Sequence, residues 1–135
     1  MATRDAQIDA HTFVQTASRF ALKRDAFAPE TVSLLASDIV RRLSRATARA
    51  PRLEEPVIAE DSIAAFCAAL VQPDPLAALN FIRRQREAGL TRQGVYLGYV
   101  GAAARRLGAG WETGRLSFAQ VTIGTGHLYA LMRAL

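Results

Sequence analysis

The sequence predicts an all-α protein: an antiparallel four-helix bundle with an additional N-terminal helical pair. Three observations carry this. Apolar residues recur at spacings of three and four along most of the chain, which is the helical period. Half of the 135 residues are hydrophobic and 21% are charged, a balance that builds a packed core and argues against disorder. Between the periodic runs stand single prolines, glycines and short polar residues of the kind that start and stop helices. No stretch reads as a convincing strand.

Six helices follow in order. The first, from Asp5 to about Arg24, carries Ile8, Phe13, Phe20 and Leu22 as a modest apolar stripe. Pro29 suits the first position of the second, where its missing N–H costs nothing. That helix runs to about Arg49, with Val32, Leu35, Ile39 and Leu43 on one face and Arg41, Arg42, Arg45 and Arg49 on a solvated one. Pro51 to Pro56 reads as a linker, so the expected organisation is an N-terminal pair (1–50), a linker (51–59) and a four-helix bundle (60–135).

The third helix starts near Asp61, carries Ile63, Phe66, Cys67 and Leu70, and ends at Gln72-Pro73. Asp74 caps the fourth, with Pro75 at its first position, Leu76, Leu79, Phe81 and Ile82 inside, and Gly89 as its stop. Thr91 opens the fifth, where Leu97, Val100, Ala104, Leu107 and Trp111 share a face, and Gly94, Gly98 and Gly101 make a small-residue strip for close packing. Trp111 itself is expected in a short turn bounded by Gly110 and Gly114. Ser117 and Gln120 then form a capping box for the sixth helix, which offers Val121, Thr125, Leu128 and Met132 on one side.

Composition narrows function. The net charge is +5 and arginine supplies nearly all the cations, Lys23 being the sole lysine. These arginines are spread over many helices, so direct contact with DNA is not expected. No apolar run approaches the roughly 18 residues that span a bilayer, so no membrane association is expected. Met1–Asp9 lacks a signal-peptide pattern, and the bacterial cytoplasm is the expected location. Cys67 is the only cysteine, which excludes an intrachain disulfide and a cysteine-based metal cage. Its apolar neighbours suggest an inert thiol. His11 and His127 lack metal-ligand spacing, and the acidic pairs lie in or near the linker. Nothing reads as an active site, and the chain is not expected to be an enzyme.

The stretch Leu107–Leu128 is the most informative. It joins the single tryptophan to a helix carrying Gly124 and Gly126. Each costs about 1 kcal/mol against alanine in a helix interior, so another helix or a flat ligand is expected to approach the backbone there.

From about Asp61 to the end, the chain resembles the helical cap that precedes the Rossmann-like domain in cobalamin-binding proteins. The resemblance rests on the Asp74 loop, the Ala88-Gly89 stop, the run Ala103–Trp111 and the run Leu116–Gly124. The last two runs look most like the AerR-type antirepressors of photosynthesis genes. The resemblance implies a cobalamin (or, as an alternative, haem) lying under Trp111, with Leu107, Phe118, Val121, Thr122 and Thr125 around it. It implies as partners a Rossmann-like cobalamin-binding domain and a repressor protein, in a photoreceptor-like regulator of transcription. Light sensors of this family have a Glu-His pair where this chain has Val121 and Thr122. The Rossmann-like domain of the family carries an Asp-x-His-x-x-Gly loop that donates the lower axial histidine. The sequence ends where that domain should begin, so binding by these residues alone is expected to be weak. Asp9-Ala10-His11 echoes that loop by chance. A cofactor-free homodimer through the fifth and sixth helices, or a corrinoid carrier of a methyltransferase system, are the alternatives.

Overall fold

The computed structural model describes residues 8–26 and 58–135 and, between them, residues 30, 31, 34, 38, 39, 41, 42 and 45. The helices are α1 (Ala10–Ala26), α2 (Glu60–Leu70), α3 (Pro75–Glu87), α4 (Arg92–Gly94), α5 (Gly101–Thr113) and α6 (Phe118–Ala134). A π-helical segment, Val95–Val100, joins α4 to α5 without a break in the right-handed backbone. No strand occurs among the described residues, and the all-α class stands. None of the helices searched is long and apolar enough to cross a membrane.

Local chemistry sets the boundaries. Asp9 closes the start of α1: its carboxylate accepts from the Thr12 N–H at 3.1 Å and the Thr12 hydroxyl at 2.6 Å. The Asp74 carboxylate accepts from the Leu76 N–H at 3.0 Å, with Pro75 at the first position of α3. Gly89, at φ 107°, follows the end of α3 in a conformation that suits glycine. The Thr91 hydroxyl accepts from the Gly94 N–H at 2.9 Å and caps α4.

One core joins these elements. Phe13 of α1, Phe66 and Leu70 of α2, Leu79 and Ile82 of α3, Leu107 of α5 and Leu128 and Leu131 of α6 are all essentially inaccessible. Phe66, Phe81 and Tyr99 form an aromatic trio with ring centroids 5.4–5.5 Å apart, one pair stacked and two edge-on. Such geometry adds about 0.5–1.5 kcal/mol per pair beyond area burial.

α1 is built into this core rather than laid beside it. It runs back along α6: the Asp9 N–H donates to the Ala134 carbonyl at 3.1 Å, and Phe20 lies over Gly126 nearer the other end. Ile8 and Ala17 are buried with Phe13, whereas Leu22, placed on the stripe by sequence, faces solvent. Beyond its first turn, α6 exposes only Tyr129 and Arg133.

Of the second predicted helix, Glu30, Thr31, Leu34, Asp38, Ile39, Arg41, Arg42 and Arg45 are helical. Arg42 pairs with Asp38 at 3.0 Å in an exposed i,i+4 bridge, and Ile39 packs partly buried against the core. Val32, Leu35, Leu43 and Arg49, and most of the predicted linker, lie outside the described residues.

Candidate functional site

The α5–α6 connection places the aromatic end of the molecule. α5 continues to Thr113, so Trp111 stands in its last helical turn and not in the turn that the flanking glycines suggested. Gly114, at φ 75°, ends the helix. The Leu116 N–H then reaches back to the Gly110 carbonyl at 3.1 Å, and the Leu116 side chain lies directly on Gly110. This is the glycine-ended helix stop with its accompanying apolar contact. Gly110 therefore serves packing inside the helix.

Ser117 starts α6 with a complete capping box. Its hydroxyl accepts from the Gln120 N–H at 3.1 Å, and the Gln120 side chain accepts from the Ser117 N–H at 2.9 Å. The box fixes Phe118 at the first helical position. Its ring centroid lies 6.3 Å from that of Trp111, with the planes at 57°. Trp111 remains 37% exposed, unlike the buried apolar residues above it on the same helix face.

The other residues named from the resemblance sit elsewhere. Val121, Thr122 and Thr125 are buried on the bundle side of α6. The Thr122 hydroxyl donates to the Phe118 and Ala119 carbonyls, both at 3.0 Å, and the Thr125 hydroxyl to the Val121 carbonyl at 2.7 Å. Both hydroxyls thus bond within their own helix. Leu107 is buried too, touching Gly124 and forming part of a groove described next. The structure brings together Trp111 and Phe118, and separately places Leu107 with the interior residues.

A cavity of about 500 Å3 runs between α2 and α5. Ala64 and Ala68 line it from α2, Val71 from the turn after it, Leu107, Ala109 and Gly110 from α5, and Leu116 from the turn after α5. Arg106 and Arg115 supply its positive charge. Arg106 Nη1 meets Glu60 Oε2 at 2.7 Å in a pair that is largely exposed. Cys67 also lines the groove, and burial pushes its thiol up to about 11, so it stays protonated at neutral pH. Sequence reading missed this groove. Its signal was the small residues Ala64 and Ala68 at i,i+4 on one helix, opposite Ala109 and Gly110 on another.

A smaller cavity of about 150 Å3 lies between α1, α6 and the α2–α3 turn and is lined by Phe20, Ile123 and His127, among others. His127 is buried; its Nδ1–H donates to the Leu70 carbonyl at 2.7 Å, and its ring lies 6.3 Å from that of Phe13. His127 therefore belongs to the α1–α2–α6 junction and not to the Trp111 end. Asp9 caps α1 through Thr12, which also holds its carboxyl below the usual range, and His11 beside it is exposed. Among the described residues, no three of His, Cys, Asp and Glu gather to hold a metal.

What the arrangement offers is therefore aromatic stacking at one end and apolar enclosure with two arginines along one side. Set against known protein families, curated proteins and solved structures, the chain matches none of them.

Proposed function

We propose that this chain is the helical cap of a two-part tetrapyrrole-binding transcriptional regulator, with cobalamin as the first ligand and haem as the alternative. The Trp111–Phe118 face rests on one side of the macrocycle, and a Rossmann-like domain or partner chain supplies the other. The single observation carrying this is the 37% exposure of Trp111 on an otherwise buried helix face, steadied by Phe118 at 6.3 Å. Tryptophan, with a large apolar face and a polar N–H, is enriched at contact surfaces.

The residues fit a stacking role and no more. His127 is committed to the Leu70 carbonyl, so Trp111 and Phe118 would hold such a ring by stacking, and His127 is not assigned to it. Val121 and Thr122, at the positions of the light sensors' Glu-His pair, are buried, so light sensing by that pair forms no part of the proposal. One aromatic contact adds about 0.5–1.5 kcal/mol beyond area burial, so this chain alone holds the ring weakly. In the regulator, changes on the upper side of the ring alter how the cap surface meets a repressor.

Absorption spectra of hydroxocobalamin and haemin, titrated with the protein, test the reading. A weak, saturable spectral change that is lost in Trp111→Ala supports it. An unchanged spectrum at all ratios, or an equal change with Trp111→Ala, counts against it.

A further inference from the structure

The groove between α2 and α5 is separate from the Trp111 face, since Trp111 does not line it. Its volume of about 500 Å3 lies within the range of small-molecule sites, roughly 300–1,000 Å3. The walls are apolar from Ala64 to Leu116, and the charged residues lining it, Arg106 and Arg115, are both cations.

The two arginines differ. Arg106 is engaged by Glu60, whereas Arg115 makes no ion pair with any described residue. Arg115 also lies in the α5–α6 turn, at the end of the groove where Thr113 and Leu116 approach. An apolar trough with an unengaged guanidinium at one end matches a molecule with a hydrocarbon body and an acidic head. Guanidinium is suited to a carboxylate because its forked N–H groups meet both oxygens.

We propose that this groove binds a small amphipathic carboxylate, its head on Arg115 and its hydrocarbon chain lying over Ala68, Val71 and Leu107 toward Cys67. The small residues Ala64, Ala68, Ala109 and Gly110 leave the volume open, and a larger side chain at Ala68 fills it. Each methylene that enters the groove strengthens binding by up to about fourfold, until the trough is full.

Cys67 is the only cysteine and lines the groove, so it reports occupancy directly. The test measures Cys67 alkylation by iodoacetamide in the full chain, with decanoate, octanoate or decylamine added. Decanoate slows the reaction saturably, octanoate does so at higher concentration, and decylamine does not. Arg115→Glu, at an exposed turn position, weakens decanoate protection by about tenfold or more, as expected for losing a charge-assisted bond. Arg115→Lys retains part of it, and Ala68→Leu removes it. The proposal is overturned if decanoate leaves the wild-type rate unchanged, if decylamine protects equally, or if Arg115→Glu protects as the wild type does.

Discussion

The Phe20 ring of α1 lies against the backbone of Gly126 in α6, so close that a methyl group added there would come within 2.9 Å of Cε1 and 3.0 Å of Cγ. A glycine in the middle of a helix is thereby explained by the chain's own N-terminal helix. Gly124 has a looser version of the same role, with Leu107 carbons 3.2 and 3.3 Å from an added methyl.

Gly126→Ala and Gly124→Ala should therefore differ. Alanine gains about 1 kcal/mol of helix propensity at either site. At Gly126 the methyl meets the Phe20 ring, and overpacking of about 1–3 kcal/mol offsets or exceeds the gain, for a net loss of up to about 2 kcal/mol. At Gly124 the Leu107 side chain can give way, and the change is close to neutral. Urea unfolding of the two variants checks this, and Phe20→Leu should rescue part of the Gly126→Ala loss.

Phe13→Ala should cost about 3–5 kcal/mol, as for any fully buried phenylalanine. Because Phe13 shares the core of α2 and α6, far-UV circular dichroism and Trp111 fluorescence should report one coincident unfolding transition. Two separated transitions would mean that α1 and the C-terminal helices fold as independent units.

Ser117→Ala removes half of the capping box and should destabilise the protein by about 1 kcal/mol. Since the box positions Phe118 against Trp111, the variant's native fluorescence spectrum should shift as well. A stability loss with an unchanged spectrum would separate the cap from the aromatic pair.

Burial keeps Cys67 in its neutral form, with the thiol up at about 11. The folded state then holds this proton more tightly than the unfolded chain. Its contribution to stability is full below the ordinary thiol range and is lost as pH rises through that range toward 11. Alkylation of Cys67 should be slow at pH 8 in the folded protein, faster in urea at the same pH, and should rise steeply only near pH 11. Equal rates in folded and urea-unfolded protein would contradict this environment.

Much of the fold was legible because helix ends are written in local chemistry. Asp74-Pro75, Thr91, Ser117–Gln120 and Gly89 each act within a few residues of themselves, so spacing alone placed them. What depends on distant partners was not legible. A helical glycine announces that something comes close, but only the fold shows that at Gly126 it is Phe20. Thr122 and Thr125 are expected around a pocket through the resemblance alone, yet a threonine hydroxyl can bond a carbonyl one turn back and be buried at little cost, as both do. The π-helical segment Val95–Val100 has no sequence mark distinguishing it from the α-helix around it. The α2–α5 groove arises from small residues some 40 positions apart, which no local pattern links.

The most direct test of the Trp111 face uses its being the only tryptophan. Hydroxocobalamin titrated into the protein should quench Trp111 fluorescence along a saturable curve, with the same midpoint as the absorption change and unaffected by decanoate. Phe118→Ala should move that midpoint to higher ligand concentration. Quenching that stays linear after inner-filter correction, with no saturation and no dependence on Phe118, would contradict the assignment of this face to a flat macrocycle.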